Sequence, residues 1–322
     1  MDYWKGKNAF VTGVDGFIGS WVARALVEQG ANVTALVRDL KKKNNIDVMG
    51  LNGKINVVQG DLVSYSVLER ATNEFETEAV FHIAAQAIVG VANRSPLSTF
   101  ESNIKGTWNI LEAARNSKTV EKVIVASSDK AYGVQKKLPY TEESPLLGRY
   151  PYDASKACAD ILSQSYFTTY SLPVCITRNA NTYGGGDMNF NRIIPGTIES
   201  VLKNETPIIR SDGTPERDYI YVKDIADAYL LLAEKMDKKG IPGEAFNFGT
   251  ETPVKVIDLF NKIIKLSGAK GVKPKVLGKA ENEIDRQWLS SKKAKKMLGW
   301  KPKYSLENGL KETIDWYRNH LK

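Results

Sequence analysis

The sequence is poor in the side chains that most often bind metals or build disulfide frameworks. It contains two cysteines, Cys158 and Cys175, and two histidines, His82 and His320. Two cysteines do not make a disulfide scaffold, so buried free thiols are expected. Neither histidine has a companion at metal-ligand spacing. We therefore expect no metal site, and we expect His82 to be a core histidine whose hydrogen bonds are satisfied.

Long apolar runs are also missing. The sequence has no stretch of about 18 apolar residues, the length that a membrane-spanning helix needs. Its first residues lead directly into a strand pattern, with no segment typical of a signal peptide. The expectation is a cytoplasmic protein that has no membrane partner.

The net charge of +8 raises the question of a nucleic-acid partner, since basic proteins often bind one. Short lysine runs occur at Lys41–Lys43 and Lys292–Lys296. However, the sequence shows no helix-turn-helix, zinc finger or aromatic RNA-binding signature. We expect no nucleic-acid partner, and a surface field that attracts small anionic molecules instead.

The N-terminal half alternates short apolar runs with helical patterns, which is typical of an α/β fold with a Rossmann-type, doubly wound parallel sheet. The predicted strands are Asn8–Thr12, Val33–Val37, Asn56–Gln59, Ala79–Ile83, Lys122–Ser127 and Pro173–Arg178. The predicted helices between them are Gly19–Gln29, Tyr65–Asn73, Pro96–Asn116 and Asp153–Ser171.

The pattern changes after about Asn179. A glycine-rich polar loop, "NTYGGGDMNFNRIIPG", follows, and compact domains rarely carry such loops without a function. We predict a dinucleotide-binding domain over 1–180, to which 218–250 returns, and a smaller C-terminal substrate-binding lobe over 181–217 and 251–322. The crevice between the two is the expected ligand site.

The segment "VTGVDGFIGSW" places Gly13, Gly16 and Gly19 between a strand and a helix. Glycines there permit a tight turn and close approach of a pyrophosphate, and the helix N-terminus favours the anion. The alternative is an ordinary strand–helix turn, because the spacing GxxGxxG differs from the usual GxGxxG. Its position after the first strand of an alternating pattern favours a dinucleotide site.

The end of the second strand bears on which dinucleotide binds. An acid there suits the ribose hydroxyls of NAD, whereas an arginine suits the 2′-phosphate of NADP. The sequence has Arg38 followed by Asp39. Arg38 and the nearby lysines favour NADP, and Asp39 keeps NAD open. After the third strand, Asp61 could accept a hydrogen bond from the adenine amino group.

Tyr152 and Lys156 lie four residues apart in a helical pattern, so both side chains fall on one face. A nearby ammonium stabilises a phenolate, which predicts a lowered pKa for Tyr152 and a role as general base. Ser128, at the end of the fifth strand, could hydrogen-bond a substrate hydroxyl. These three residues, together with the glycine turn, make a specific combination.

Several segments, in this order, resemble the extended short-chain dehydrogenase/reductases that act on nucleotide sugars. The matching segments are "VTGVDGFIGSW", "GDL", "VFHIAAQA", "ESNIKGTWNILEAAR", "SSDKAYG", "YDASK", "RNANTYGGGD", "RDYIYVKDIADAYLLL" and "SKKAKKMLGWKP". The resemblance extends over essentially the whole chain and implies a tightly bound NAD or NADP, a nucleotide-diphosphate sugar as substrate, and a homodimer formed through helices 96–116 and 153–171.

The resemblance also implies roles for individual residues. It assigns Tyr152, Lys156 and Ser128 to catalysis. The cofactor would contact Gly13, Gly16, Phe17, Ile18, Arg38, Asp61, Leu62, Ala84 and Ala85, with Tyr152 and Lys156. The substrate would contact Gln86, Asn181, Arg192, Arg217 and Arg286. Each arginine alone is as readily explained by a surface ion pair. The family pattern "DxSKA" is replaced here by "WLSSKKA", near Arg286.

Asp129 and Lys130 bear on the choice of reaction. They follow Ser128, where the family's epimerases carry small or apolar residues, and the Ser-Asp-Lys sequence resembles the nucleotide-sugar 4,6-dehydratases, most of all those acting on CDP-glucose. After oxidation at C4, such an enzyme needs a base for the C5 proton and an acid for the departing C6 hydroxyl. Lys130 and Asp129 are the candidates for these roles. The alternatives are a salt bridge in a 4-epimerase or related reductase, and a non-catalytic dinucleotide sensor.

Overall fold

The computed structural model describes residues 3–39, 44–278 and 284–321, so the lysine run 41–43 lies outside the described residues. The strands are β1 (Asn8–Thr12), β2 (Asn32–Val37), β3 (Asn56–Gln59), β4 (Ala79–His82), β5 (Lys122–Ala126), β6 (Val174–Asn179), β7 (Asn181–Tyr183), β8 (Ile208–Ile209), β9 (Glu216–Tyr221), β10 (Ala245–Phe248), β11 (Pro253–Lys255), β12 (Lys275–Val276) and β13 (Arg286–Gln287).

The helices alternate with these strands. They are α1 (Phe17–Glu28), α2 (Asn45–Val48), α3 (Tyr65–Glu74), α4 (Val89–Arg94), α5 (Pro96–Phe100), α6 (Gly106–Asn116), α7 (Pro151–Tyr170), α8 (Ile193–Leu202), α9 (Val222–Lys235), α10 (Val256–Ser267), α11 (Lys292–Leu298) and α12 (Leu306–His320). A π-helical turn, Glu101–Lys105, joins α5 to α6, and a 3-10 turn, Asp129–Tyr132, follows β5.

Seven strands form one parallel sheet in the order β10-β6-β5-β4-β1-β2-β3. The strand order reverses between β4 and β1, so the loops after these strands diverge to opposite sides and leave a crevice at their carboxyl ends. The predicted α/β fold with a Rossmann-type parallel sheet is confirmed. The six predicted strands of this sheet are all present, with ends that differ by at most one residue.

Helices cover both faces of the sheet because successive strand residues point to opposite sides. Val11 of β1 belongs to the core that packs under α1 and α9, whereas the preceding Phe10 belongs to the core under α3 and α6. Both side chains are fully buried. Each strand is therefore apolar along its whole length, which explains why the sequence shows continuous runs instead of alternation.

A smaller sheet is built around β9, which pairs with β7, β11 and β13. After β9 the chain returns to the large sheet, where α9 packs on α1 and β10 pairs with β6. The division into the two lobes predicted from the sequence stays a prediction. In the described part of the chain, no helix is long and apolar enough to cross a membrane.

The chain crosses between the two sheets at a tightly bonded cluster. Ala180 alone separates β6 from β7, and its N–H donates to Phe248 O at the end of β10. The buried carboxylate of Asp218, in β9, accepts hydrogen bonds from the main-chain N–H groups of Thr250 and Glu251, at 2.9 to 3.1 Å, and from the Thr250 hydroxyl. This Asp218 cluster fixes the small sheet against the carboxyl edge of the large one.

Candidate active site

The turn after β1 needs glycine for two separate reasons. Gly13 has φ +78°, and a Cβ there would lie 2.9 Å from the main-chain N and Cα of Ala84. A Cβ on Gly19 would lie 2.1 Å from the carbonyl oxygen of Gly13. The absence of side chains lets β1, the loop after β4 and the start of α1 converge. Phe17 and Ile18 open α1, where main-chain N–H groups have no acceptor within the helix.

This arrangement fits a dinucleotide, because a pyrophosphate can approach the turn and accept from the N-terminal amides of α1. Arg38 and Asp61 lie after β2 and β3 at the same edge. Arg38 forms an exposed ion pair with Asp39, at 2.9 Å, and the bond to Asp39 raises the pKa of the guanidinium. Asp61 accepts a hydrogen bond from the main chain of Val63 at 3.1 Å.

Leu62, Ala84 and Ala85 line the same edge in different ways. Ala84 closes over Gly13, and its N–H donates to Thr12 Oγ1 at 3.1 Å. Ala85 follows in the same loop and is half-buried. The Leu62 side chain is buried and packs against Gly106 of α6, where a Cβ would lie 2.8 Å from it. In this structure Leu62 therefore packs the loop onto α6.

A cleft of about 730 Å³ extends from this edge to the small sheet. Eight of the predicted site residues line it: Ile18, Ser128, Asp129, Lys130, Tyr152, Asn181, Arg192 and Arg217. Arg94 and Arg210 also line it and were not predicted. Four arginines and one lysine thus border one cleft, which favours an anionic ligand. Neither Arg94 nor Arg210 lies in a motif, so in the sequence only their basic character indicated that they could contact an anionic ligand.

Shortly after β5, a compact turn at the floor of this cleft is formed by Ser128, Asp129 and Lys130. Ser128 Oγ accepts from the main-chain N–H of Lys130 at 3.2 Å and donates to Asp129 Oδ1 at 3.1 Å. Lys130 Nζ forms an ion pair with Asp129 Oδ2 at 3.1 Å. The Asp129 side chain is 5 % exposed and that of Lys130 22 %. The two side chains are therefore in direct contact, and that of Asp129 is almost completely buried.

Tyr152 and Lys156 lie on the first two turns of α7, beside this turn. Burial raises the pKa of Tyr152 to about 12, although a hydrogen bond with Ser128 and the charge of Arg192 oppose the shift. Burial lowers the pKa of Lys156 to about 8, and its Nζ donates to Ala126 O at 2.6 Å. The predicted lowering of the Tyr152 pKa is wrong for this structure, because desolvation of the phenolate outweighs the nearby positive charges.

Asp153 is a residue that the sequence reasoning missed. It is buried in the first turn of α7, and burial raises the pKa of its carboxyl to about 6, with Lys130 lowering it and Asp129 raising it. The available signal was its place directly after Tyr152 in "YDASK".

A buried network of hydrogen bonds supports the 3-10 turn Asp129–Tyr132. Arg178 of β6 binds Asp160 of α7 through two hydrogen bonds, at 2.7 and 2.9 Å, and donates to Tyr132 Oη at 2.8 Å. Tyr132 in turn donates to Asn247 Oδ1 at 2.7 Å. The network joins the end of the 3-10 turn to the helix that carries Tyr152, so it fixes their relative position.

The remaining predicted substrate residues are placed unequally. Gln86 does not line the cleft, because its Oε1 accepts from Ile88 N at 3.2 Å and its own N–H donates to Asn103 Oδ1 at 2.7 Å. Asn181 Nδ2 donates to Asp218 O at 3.2 Å. Arg286 also lies outside the cleft lining and forms an exposed ion pair with Glu216 at 2.9 Å.

Arg192 and Arg217 both reach the cleft. Arg192 pairs with the buried Asp187 at 2.9 Å, and Arg217 donates to Glu216 O and Asp285 O at 2.9 and 3.2 Å. His82 is a core residue, as predicted: its ring nitrogens lie 3.0 Å from the hydroxyls of Thr12 and Thr107. Burial lowers its pKa to about 3, so it is neutral. The thiols Cys158 and Cys175 are free.

Comparison with known proteins gives this architecture a family. The model of the GDP-mannose 4,6 dehydratase family matches residues 10–313. The CDP-glucose 4,6-dehydratase of Salmonella typhimurium is 29% identical over 338 residues, which cover 100% of this chain and 93% of that protein. The chain belongs to the extended short-chain dehydrogenase/reductase family of NAD-dependent epimerases and dehydratases.

Solved structures divide between the two reactions of the family. UDP-glucose 4-epimerase of Thermotoga maritima, solved with UDP-glucose, has a TM-score of 0.90 at 32% identity and covers 98% of this chain and 100% of its own. The dTDP-glucose 4,6-dehydratase of Streptomyces venezuelae, solved with NAD, has a TM-score of 0.87 at 28% identity, with 97% of both chains covered. Overall similarity therefore defines a nucleotide-sugar epimerase/dehydratase and leaves the reaction to be argued from the site.

Proposed function

We propose that this protein is a nucleotide-sugar 4,6-dehydratase, which converts an NDP-hexose into an NDP-4-keto-6-deoxyhexose and water. The observation that carries the proposal is the Asp129–Lys130 ion pair on the cleft floor, next to Ser128 and Tyr152. The elimination consumes one proton from an acid and delivers one proton to a base. An acid and an amine in direct contact, as Asp129 and Lys130 are, can perform both transfers.

The pair can also supply the starting state. Transfer of one proton from Lys130 to Asp129, across a contact of 3.1 Å, produces a neutral acid beside a neutral amine. No proton has to be taken from solvent.

The roles then follow in sequence. Tyr152 accepts the proton of the C4 hydroxyl, which Ser128 orients by hydrogen bonding. Because burial raises the pKa of Tyr152 to about 12, this step requires the positive charges of Lys156 and of a bound nicotinamide to stabilise the phenolate. The resulting 4-ketone makes the C5 proton acidic, and Lys130 removes it. Asp129 protonates the C6 hydroxyl, which leaves as water. Lys130 returns its proton to C5 when C6 is reduced, and the proton that Tyr152 took from the C4 hydroxyl then restores the acid form of Asp129. Lys156 lies one helical turn after Tyr152, and its ammonium donates to Ala126 O at the end of β5.

A bound dinucleotide would supply the hydride acceptor for C4 and the hydride donor for C6, so the reaction would have no net redox change. The glycine turn at Gly13, Gly16 and Gly19, together with Phe17 and Ile18, fits its pyrophosphate. Relatives solved with NAD support this cofactor class. The preference for NADP rests on Arg38 and stays a prediction; Asp39, bonded to Arg38, suits NAD.

The charges of the cleft support a nucleotide-diphosphate sugar. Arg192 and Arg217, with Arg94 and Arg210, place guanidinium groups in the lining of the cleft, where diphosphate oxygens can accept paired hydrogen bonds. Arg286 could join them only if it released Glu216. The identity of the nucleotide base and of the sugar is left to experiment.

The test begins with mass spectrometry of the protein as purified, which identifies any retained dinucleotide. The protein is then incubated with CDP-, GDP-, UDP- and dTDP-hexoses, and the products are identified by mass spectrometry and NMR. At least one sugar nucleotide is expected to lose water and give a 4-keto-6-deoxy product. Conversion of these substrates to nothing but their C4 epimers would reject the dehydratase proposal.

A 4-epimerase is the alternative, and one observation favours it: a solved UDP-glucose 4-epimerase has a TM-score of 0.90 with this chain. In such an enzyme the 4-ketone rotates and is reduced on its other face, which requires no acid–base pair. Asp129 and Lys130 would then form only a structural ion pair. The product analysis separates the two reactions directly.

A further inference from the structure

Gln287 binds both members of the acid–lysine pair from the far end of the chain. Its Oε1 accepts a hydrogen bond from Lys130 Nζ at 2.5 Å, and its Nε2 donates to the main-chain oxygen of Asp129 at 3.0 Å. Both polar ends of the amide are thus used, so its orientation is determined. The residue is fully buried, at 0 % exposure, although 157 positions separate it from Lys130.

The position of Gln287 in the small sheet links it to the cleft wall. It lies on β13, which runs parallel to β9 and places Gln287 opposite Arg217. Arg217 lines the cleft, as do Asp129 and Lys130. Gln287 therefore belongs to the small sheet but holds the 3-10 turn that follows β5 of the large sheet.

The chemistry of the amide suits a lysine that must give up its proton. A carboxylate at this place would add a second negative charge beside Lys130 and favour its ammonium form. The neutral oxygen of Gln287 fixes the amine without that charge. At the same time the bond to Asp129 O fixes the main chain from which the carboxylate projects.

We propose that Gln287 is a positioning residue for the elimination step, which holds Lys130 beside Asp129 so that base and acid face the same C5–C6 bond. The inference rests on the proposed dehydratase function. Gln287 has no role in C4 oxidation, for which Ser128 is placed after β5 and Tyr152 and Lys156 on α7. The two half-reactions should therefore respond differently to its loss.

The experiment compares wild type with Gln287→Met, using the purified full-length protein, its bound dinucleotide and the sugar nucleotide that the wild type dehydrates. Single-turnover absorbance of the reduced nicotinamide reports C4 oxidation, and solvent deuterium at C5 with mass spectrometry reports elimination. Because loss of alignment of about 1 Å costs roughly 100-fold in rate, we expect elimination to fall about 10- to 100-fold and oxidation to change less than about twofold.

Two further variants sharpen the result. Gln287→Asn keeps an amide but shortens it by one methylene, and it should separate the two steps in the same way if Met is poorly tolerated. Ser290→Ala is the matched control: it is buried on the same segment and bonds Glu251, at 3.2 Å, but does not touch the pair. It should leave both steps unchanged.

A double-variant cycle tests whether Gln287 acts through Lys130. In a Lys130→Met background, adding Gln287→Met should change the residual elimination less than about twofold, since the side chain that Gln287 holds is already absent. A full additional 10- to 100-fold loss, or an equal loss of oxidation and elimination, would overturn the positioning role while the dehydratase function stood. A wild type that eliminates no water would overturn both.

Discussion

At the scale of single residues, Asp129 is the side chain on which the choice of reaction depends. Asp129→Asn removes the proton donor for C6 but keeps shape and polarity. General acid catalysis typically contributes 10²- to 10⁴-fold, so we expect dehydration to slow by roughly that factor. C4 oxidation, measured as reduced nicotinamide in a single turnover, should change little. An Asp129→Asn variant that dehydrates at the wild-type rate would remove Asp129 from the acid role; Asp258→Asn, an exposed carboxyl on α10, is the control.

Asp153 leads to a prediction about stability. Burial raises its pKa from 3.8 to about 6, so the folded protein binds the proton more tightly than the unfolded chain does. Stability is therefore lost as pH rises from about 4 to about 6. Each pKa unit corresponds to about 1.4 kcal/mol, so Asp153→Asn should raise the free energy of unfolding by about 1–3 kcal/mol at pH 8.

At about pH 3, well below the unfolded value of 3.8, both states of the wild-type protein hold the proton at Asp153, and the difference between variant and wild type should largely disappear. Urea unfolding at about pH 3 and at about pH 8 measures the effect. The helix dipole at the first turn of α7 favours the charged form by at most about 1 kcal/mol, which is smaller than the burial effect. A less stable Asp153→Asn protein at pH 8 would contradict the prediction.

The sequence identified residue types well and their environments poorly. Ser128, Asp129, Lys130 and Tyr152 could be recognised because they lie close together along the chain in motifs. The raised pKa of Tyr152 could not, because burial depends on what packs over α7. Gln287 could not be predicted either, because its contact with Lys130 depends on how β13 is placed in the small sheet.

At the scale of elements, the segment predicted as one helix over 96–116 is α5 and α6 joined by a π-helical turn. The turn buries Asn103, whose side chain accepts from Gln86 N at 2.7 Å and donates to Gln86 O and Ser155 Oγ at 3.2 and 2.9 Å. It thus ties the loop after β4 to the helix that carries Tyr152. Apolar periodicity predicts the helix, but the widened turn depends on these tertiary bonds.

Asn103→Ala removes three hydrogen bonds and leaves the N–H of Gln86 without its acceptor. At about 1 kcal/mol for each bond, with a further cost for the unpaired donor, the free energy of unfolding should fall by about 2–4 kcal/mol. Urea denaturation measures it. The exposed Ser98→Ala on α5 serves as the control and should change stability by less than about 0.5 kcal/mol. Equal stability of the two variants would show that the turn does not depend on Asn103.

At the scale of the whole molecule, we propose the homodimer that the sequence predicted, formed through 96–116 and 153–171. Apolar side chains on these segments are exposed: Leu97 at 71 %, Trp108 at 43 % and Ile161 at 56 %. Trp108→Glu places a charge on this face and should convert the dimer to monomer, because desolvating an unpaired carboxylate in an interface is costly.

Size-exclusion chromatography with light scattering measures the mass of the assembly. Val276→Glu, an exposed apolar position on β12 at 48 %, is the control and should remain dimeric. A monomeric wild-type protein, or a Trp108→Glu protein that stays dimeric, would place the interface elsewhere or remove it.

The Asp218 cluster has a consequence for how ligands are exchanged. The small sheet is not attached by one flexible linker, because the chain passes between the sheets after β6, after β9 and after β10, and Asp218 bonds the first residues of the last crossing. A hinge needs a few residues whose dihedral angles can change, and here these residues are hydrogen-bonded and packed. We therefore expect substrate and product to pass by movement of surface loops around the cleft, with the two sheets moving as one body throughout the catalytic cycle.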